Sequence, residues 1–261
     1  MRDTLRISLI QMNVVVGDWE VNCNTARKCL EGCANLKADL AVLPEMWSTG
    51  FIWHENFLEL AGRTYRRTLT LLSQWAQRYR LYILAGSIPE VCDSKLFNTS
   101  FLFDPSGQIL GSYRKRHLFH MIGEDRFFQP GQSEPIPIET PWGNLGVLIC
   151  FDLRHPQEFQ HLRKSGVRMI LLPAQFPAPR EHHWLTLLQA RAIESQCFVC
   201  GCNRVGVDPS PQPFSYFGSS CIVSPAGELL LQGRGRETLV AAELDLSLVE
   251  KTRRELPFYR E

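Results

Sequence analysis

The sequence predicts an α/β protein in which two mixed β-sheets pack face to face and helices cover both outer faces. Strand-like and helix-like segments alternate in two separate stretches, as in β-α-β-α-β units. Three turns of the form x-Pro-x-Gly separate further strand-like segments, which is typical of antiparallel hairpins. Because both halves carry hairpins, a single doubly wound sheet is disfavoured. No linker or low-complexity tract interrupts the chain, so we expect one domain over residues 1–261.

The first half supplies the strands and helices of one β-α-β-α-β unit. Residues 5–12 alternate in polarity and predict a strand, whereas Ala26, Leu30 and Cys33 share one face of a predicted helix over 22–36. The other elements predicted in this half are strands at 38–43, 81–88, 97–103 and 108–113 and a helix at 64–79.

The second half repeats the pattern around an apolar run at residues 145–149. This run is bounded by polar residues, which favours a buried strand, and Pro156 is placed to begin the following helix. The other elements predicted here are strands at 136–139, 169–173, 197–202, 219–223, 228–232 and 238–244 and helices at 157–165, 180–196 and 246–254.

The charge balance argues against two classes of partner. The chain has 28 basic and 27 acidic residues and a net charge of +1, so neither nucleic acid nor an anionic membrane is an expected partner. No apolar run approaches the roughly 20 residues of a membrane span, and the N-terminal apolar run is too short for a signal peptide. Nine cysteines without a secretion signal indicate reduced thiols. We therefore expect a cytoplasmic protein.

The sequence offers no metal or cofactor motif. In the Cys-Phe-Val-Cys-Gly-Cys segment, strand alternation places Cys197 opposite Cys200 and Cys202, which favours core packing over a metal site. No Gly-rich phosphate loop or zinc-ligand spacing is present, so we expect neither cofactor nor metal. The histidines that could suggest a metal are interpreted as helix-surface or loop residues; they are His117, His120, His182 and His183.

Three reactive side chains follow strand ends. Cys150 closes the run at 145–149, Glu45 follows the strand at 38–43, and Lys115 follows the strand at 108–113. Taken singly, each has an ordinary interpretation: a core cysteine, a loop acid and a solvated charge. The carboxyl ends of such strands are where ligands gather, and a thiol beside the N–H groups of a turn is a candidate nucleophile. Their repeated placement favours a catalytic group.

Three stretches carry a resemblance to a known family. LPEMWSTGF (43–51), YRKRHLF (113–119) and CFDLRHP (150–156) resemble the signature regions of the nitrilase superfamily of carbon–nitrogen hydrolases. The pairing of PEMWSTGF with RKRHLFHMIGE most resembles the omega-amidase branch. That branch hydrolyses the terminal amide of 2-oxo dicarboxylic acid monoamides, such as 2-oxoglutaramate and 2-oxosuccinamate.

The resemblance implies a fold, an assembly and a set of catalytic residues. The implied fold is a four-layer αββα sandwich, and the implied assembly is a homodimer. Glu45, Lys115 and Cys150 match the Glu-Lys-Cys triad, and Glu124 matches the second active-site glutamate. The expected chemistry is attack by Cys150 through a thioester, with Glu45 as general base and Lys115 at the oxyanion.

Substrate-binding residues follow less directly from the sequence. Arg154 is expected to bind the far carboxylate of a dicarboxylate-derived amide, because a guanidinium binds carboxylate in a bidentate way. Its alternative role is to hold the turn or a dimer interface. Aromatic residues are expected to wall a small pocket; they are Phe119, Phe151, Phe176, Phe127 and Trp47.

Two alternative functions remain open at this stage. The first is a nitrilase-type enzyme for another small amide, a carbamoyl compound, a deaminated thiol peptide or a nitrile. The second is a non-catalytic binding protein on the same fold. The joint presence of the glutamate, lysine and cysteine argues against the binding protein.

Overall fold

The strands and helices follow one another much as the sequence predicts. The computed structural model describes residues 1–52, 54, 56–208 and 214–259. In chain order the strands are β1 (Thr4–Gln11), β2 (Leu40–Val42), β3 (Tyr82–Leu84), β4 (Ile88–Cys92), β5 (Lys95–Phe103), β6 (Ile109–Arg114), β7 (Ile138–Thr140), β8 (Gly143–Val147), β9 (Met169–Ala174), β10 (Phe198–Asn203), β11 (Val205–Val207), β12 (Ser215–Phe217), β13 (Cys221–Val223), β14 (Leu229–Gln232) and β15 (Thr238–Asp245). The helices are α1 (Trp19–Asn35), α2 (Phe57–Tyr79), α3 (Pro156–Lys164), α4 (Glu181–Ser195) and α5 (Ser247–Glu255).

Two large mixed sheets form the centre of the protein. The first has the order β15-β1-β2-β3-β5-β4, with β6 paired to β5, and the second has the order β14-β13-β10-β9-β8-β7. Strands β1, β2 and β3 are parallel, as are β8, β9 and β10, while the hairpin strands add antiparallel edges. The predicted α/β architecture of two mixed sheets covered by helices is confirmed.

Alternation along the strands explains the layers. In β1, Leu5 and Leu9 join the core between the two sheets, whereas Ile10 faces the helices. Helices α1 and α2 cover the first sheet, and α3 and α4 cover the second with side chains such as Phe159 and Trp184. Side chains of opposite parity on a strand point to opposite faces, so both faces of each sheet are buried. None of the described helices combines the length and apolar character that a membrane crossing requires.

The prediction and the structure differ in several places. The predicted strand at 81–88 is too long: β3 ends at Leu84, Gly86 has φ +59°, and a separate strand, β4, begins at Ile88. A Cβ on Gly86 would lie 2.0 Å from the carbonyl oxygen of Pro44, so the chain bends where two loops touch. The pairing of β11 with β12 was not predicted.

The strand ends at one edge of the sandwich position the candidate site. Strands β2 and β3 are parallel, and β5 is antiparallel to both β3 and β6. Strand β6 therefore runs in the same direction as β2, and the two strands end at the same edge of the first sheet. In the second sheet, β8 and β9 leave side by side. Residues that follow β2, β6, β8 and β9 therefore lie close together.

Candidate active site

Four of the predicted site residues converge at this edge. The Nζ atom of Lys115 lies 2.8 Å from Oε1 of Glu45 and 2.8 Å from Oε2 of Glu124. The side chains of these three residues are 1% exposed or less. The Cys150 thiol is near enough to the Glu45 carboxylate for the charge of Glu45 to raise the pKa of the thiol. A thiol, an ammonium and two carboxylates thus share one buried pocket.

The Glu45 carboxylate is held by donors from three elements. Its Oε1 accepts hydrogen bonds from Lys115 Nζ at 2.8 Å and from Asn98 Nδ2 at 2.9 Å. Its Oε2 accepts the backbone N–H of Gln175 at 2.8 Å, just beyond β9. Asn98 Nδ2 also donates to Glu124 at 3.0 Å, so one amide group bridges the two carboxylates. The carboxylate is therefore fixed in one orientation relative to Cys150.

Asn98 and Gln175 are site residues that the sequence reasoning missed. A weak signal existed for each: Asn98 interrupts the apolar strand β5, and Gln175 follows a buried strand in the same way as Glu45. Glu124 is held separately, because the backbone N–H of Phe119 donates to its Oε2 at 2.7 Å. This bond joins the two ends of the segment from Phe119 to Glu124.

The backbone at Cys150 is strained. Cys150 has φ +46° and begins a short 3-10 helix over Cys150–Arg154, so β8 ends sooner than the predicted run at 145–149. A non-glycine residue in this region costs on the order of 1–2 kcal/mol and is common at functional sites. Asp152 supports the turn by accepting the Ile149 N–H at 2.9 Å and the Tyr113 hydroxyl at 2.8 Å.

Charge and burial set the protonation states of Cys150 and Lys115. Burial raises the pKa of the Cys150 thiol, the negative charge of Glu45 raises it further, and Lys115 partly opposes both effects. The thiol is therefore protonated near neutral pH, and a base would have to remove its proton before the sulfur could act as a nucleophile. Burial alone would lower the pKa of Lys115, but the charges of Glu124 and Glu45 outweigh it and raise that pKa, so the ammonium stays charged.

The predicted substrate-binding residues contact one another. The rings of Phe119 and Phe151 are stacked, with centroids 4.8 Å apart. The Arg154 guanidinium lies 5.5 Å from the ring centroid of Phe176 and 5.9 Å from that of Phe151. Its only neighbouring side-chain hydrogen-bond partner in the described part of the chain is His183, at 3.1 Å. Within those same residues no carboxylate pairs with Arg154.

The two other aromatic residues predicted to wall the pocket, Trp47 and Phe127, pack in different clusters. The placement of Trp47 in the pocket wall is wrong, because Trp47 is fully buried in the helix-facing core of the first sheet, with its ring centroid 6.3 Å from that of Trp75. Its indole N–H donates to the Ala85 carbonyl at 2.7 Å. Phe127 packs against a separate cluster that contains Phe57 and Phe128.

The histidines and the cysteine-rich strand occupy ordinary positions. His182 and His183 are exposed on the first turn of α4, and the ring of His117 stacks on that of His155 with centroids 3.5 Å apart. Cys200 and Cys202 are buried in the core. Among the residues that the structure describes, no group of three or more His, Cys, Asp or Glu side chains is arranged to hold a metal ion.

Comparisons with known proteins identify the family of this chain. The family model of carbon-nitrogen hydrolases matches residues 6–254. The chain is 35% identical to the 2-oxoglutaramate amidase of Bacillus subtilis (strain 168) over 253 residues, which cover 97% of this chain and 95% of the relative. It is 33% identical to the omega-amidase YafV of Escherichia coli (strain K12), with 98% and 96% covered. A carbon-nitrogen hydrolase structure from Helicobacter pylori G27 superposes with a TM-score of 0.92 at 25% identity, covering 98% of this chain and 94% of that one. The chain belongs to the carbon-nitrogen hydrolase family of the nitrilase superfamily.

Proposed function

We propose that this enzyme is an omega-amidase that hydrolyses the terminal amide of 2-oxo dicarboxylic acid monoamides, such as 2-oxoglutaramate and 2-oxosuccinamate, to the acid and ammonia. The observation that supports this most directly is the arrangement of Arg154, which has no acidic partner among the described residues and lies beside the Cys150 pocket. Relatives named for this activity at 35% and 33% identity add independent support.

The first half of the reaction forms a thioester. Cys150 Sγ attacks the amide carbon while Glu45, whose carboxylate is near the thiol, accepts the thiol proton. The negative charge that develops on the amide oxygen is stabilised by the Lys115 ammonium and by the backbone N–H that follows Cys150. Glu45 then gives its proton to the departing nitrogen, which leaves as ammonia and breaks the carbon–nitrogen bond.

The second half of the reaction releases the acid. Glu45 accepts a proton from a water molecule, which attacks the thioester carbon. The carbon–sulfur bond breaks, the sulfur regains its proton from Glu45, and the carboxylic acid leaves. Glu124 contacts Lys115 at 2.8 Å and shares Asn98 with Glu45, so we assign it to hold the ammonium in place.

Substrate specificity is assigned to the Arg154 guanidinium and to the aromatic rings around it. Arg154 would bind the carboxylate at the far end of the substrate through two parallel hydrogen bonds. The rings of Phe119, Phe151 and Phe176 would enclose the short carbon chain and exclude water, which strengthens the charge interactions inside. The proposal includes a cytoplasmic location, where Cys150 stays reduced, and a homodimer as the assembly.

The test is ammonia release from a panel of substrates: 2-oxoglutaramate, glutamine, asparagine, a simple aliphatic amide and a nitrile. We expect a strong preference for the 2-oxo acid amide and no activity after Cys150→Ala. Cys200→Ala is the matched control, since it removes a buried thiol of the second sheet outside the pocket. Activity on another member of the panel alone would refute the substrate assignment, and activity that persists in Cys150→Ala would refute the mechanism.

A further inference from the structure

Arg204 is a fully buried arginine that the proposed mechanism does not use. It follows β10 and is 0% exposed. The guanidinium donates to the carboxylate of Asp208 at 2.8 Å, and the ring of Tyr216 lies 4.3 Å above it. Its other bonds run to the Gln175 side chain at 3.1 Å, the Asn13 side chain at 3.2 Å, and the carbonyls of Val14 at 2.6 Å and Val205 at 3.2 Å.

Arg204 determines which way the Gln175 side-chain amide points. An arginine only donates hydrogen bonds, so the Oε1 atom of Gln175 must face Arg204 Nη1, at 3.1 Å. The Nε2 atom of Gln175 then faces the backbone carbonyl of Glu45 and donates to it at 2.8 Å. The backbone N–H of Gln175 donates to Glu45 Oε2, also at 2.8 Å. A continuous set of hydrogen bonds therefore links Arg204 to the carboxylate beside Cys150.

The backbone beside Arg204 approaches Asn13, one of the partners of Arg204, more closely than most residues would allow. Gly206 has φ +107°, and a Cβ at this position would lie 1.9 Å from Oδ1 of Asn13. The Val205 N–H also bonds to the Met12 carbonyl at 3.1 Å, which joins the end of β1 to the end of β10. Arg204 thus lies where the ends of β1 and β10 meet, and only glycine at residue 206 permits the close approach to Asn13.

We propose that Arg204 is a positioning residue, which orients Gln175 and thereby holds the Glu45 carboxylate against the Cys150 thiol. The inference rests on the proposed role of Glu45 as the base. Because Asp208 pairs with Arg204, the guanidinium contributes through geometry more than through its charge. An error of about 1 Å in the placement of a catalytic group can cost about 10²-fold in rate.

The variants are chosen to separate positioning from folding. Arg204→Met removes the donors and keeps the length, and the pair Arg204→Met with Asp208→Asn also removes the unpaired buried charge. Arg168→Met is the matched control. Arg168 is another buried arginine with carboxylate partners, Asp3 at 2.8 Å and Glu250 at 2.9 Å, at the opposite end of β9 from the pocket.

Two measurements carry the test. The first is KM together with kcat, where kcat is expressed per reactive Cys150 and the reactive Cys150 is counted by alkylation with iodoacetamide. We expect kcat to fall about 10²-fold in both Arg204 variants, with KM nearly unchanged, and kcat per reactive site to be unchanged in Arg168→Met. The second is the pH midpoint of Cys150 alkylation. We expect it to fall toward the value of Glu45→Gln, with no further change when Arg204→Met is added to Glu45→Gln.

The inference is overturned if Arg204→Met loses activity only in proportion to its loss of reactive Cys150, as a purely structural residue would. A shift that adds to that of Glu45→Gln would also overturn it, since Arg204 would then act independently of Glu45. Alkylation needs no amide substrate. Failure of 2-oxoglutaramate as a substrate, with the alkylation shift present, would therefore refute the proposed substrate and support the role of Arg204.

Discussion

Lys115 and Glu45 form a buried ion pair, with 2.8 Å between Nζ and Oε1 and with side chains that are 1% and 0% exposed. Removing two charges from water costs several kcal/mol per ion, so such a pair persists only where further hydrogen bonds compensate. Here Asn98 and Glu124 supply them. The pair adds little to stability by itself, and in the proposed mechanism it holds the Lys115 ammonium and the Glu45 carboxylate beside the Cys150 thiol.

Breaking this pair is predicted to destabilise the fold as well as abolish activity. Lys115→Met leaves two buried carboxylates without a cation, and we expect the free energy of unfolding in urea to fall by roughly 3–5 kcal/mol. Adding Glu124→Gln is expected to recover part of that loss, because one buried charge is then removed. Lys95→Met, at an exposed lysine of β5, is the control. Equal stability of Lys115→Met and Lys95→Met would contradict this account.

Glu45→Gln is predicted to separate thiol ionisation from catalysis. Burial raises the pKa of Cys150, and the charge of Glu45 raises it further. We therefore expect the pH midpoint of Cys150 alkylation, followed by peptide mapping, to move down in Glu45→Gln while amide hydrolysis is lost. The exposed acid Glu139 gives the control variant Glu139→Gln. A midpoint that stays at the wild-type value would show that Glu45 does not act on the thiol.

The sequence predicted the reactive residues better than their supports. Glu45, Lys115 and Cys150 were recognised because each carries chemistry and follows a strand, a relationship that is local in sequence. Asn98 was missed because its place depends on the pairing of β5 with its neighbours, which brings the Lys115 N–H to the Asn98 carbonyl at 2.9 Å. Pairing of this kind is a tertiary property.

Trp47 illustrates the opposite error. An aromatic residue next to a catalytic motif fits a pocket wall and a core equally well, and only the orientation of the loop decides between them. In the structure that loop turns the indole toward Trp75 of α2. The separation of β3 from β4 likewise depends on contact between Gly86 and Pro44, which belong to different loops.

Arg154→Met is predicted to raise KM for 2-oxoglutaramate by about 10–100-fold, because it removes charge-assisted hydrogen bonds worth about 1.5–3 kcal/mol. KM for an uncharged amide of similar length is expected to stay the same. Arg154→Lys keeps the charge without the planar fork, so an intermediate KM is expected. Steady-state kinetics on both amides provide the measurement. An equal rise in KM for the charged and uncharged amides would assign Arg154 to the turn instead.

Asp152 is predicted to make the free energy of unfolding fall as pH rises, which is the opposite of the usual effect of a carboxylate. Burial raises its pKa to about 6, although the Ile149 N–H, Lys115 and Tyr113 oppose this. An unfolded aspartate titrates near pH 3.9, so between about pH 4 and 6 the folded state binds more protons than the unfolded state. The contribution of Asp152 to the free energy of unfolding therefore falls as pH rises through that window, by on the order of 3 kcal/mol.

Urea unfolding of wild type and Asp152→Asn between pH 4 and 7 measures this effect. We expect the difference in free energy of unfolding, wild type minus variant, to decrease up to about pH 6 and then to stay constant. A difference that does not vary with pH would show that the pKa of Asp152 is the same in the folded and unfolded states.

Gly86→Ala is predicted to damage both the fold and the position of Glu45. The new Cβ would lie 2.0 Å from the Pro44 carbonyl oxygen and 2.6 Å from that of Leu43, and the backbone there has φ +59°. Gly166 separates the two effects, because it has φ +76° with nothing within 4 Å of the added carbon. Gly166→Ala is therefore expected to cost about 1–2 kcal/mol in unfolding free energy, the cost of the left-handed conformation alone.

The steric clash with backbone atoms distinguishes Gly86→Ala from Gly166→Ala. Since both contacts are backbone atoms, relief requires movement of the segment that leads directly to Glu45, so we expect a larger loss of stability than in Gly166→Ala together with a fall in kcat. Gly166→Ala is expected to keep the wild-type kcat at temperatures where it is folded. Equal unfolding free energies for the two variants, or an unchanged kcat in Gly86→Ala, would mean that the Pro44–Glu45 segment moves aside freely and that its close contact with Gly86 does not position the base.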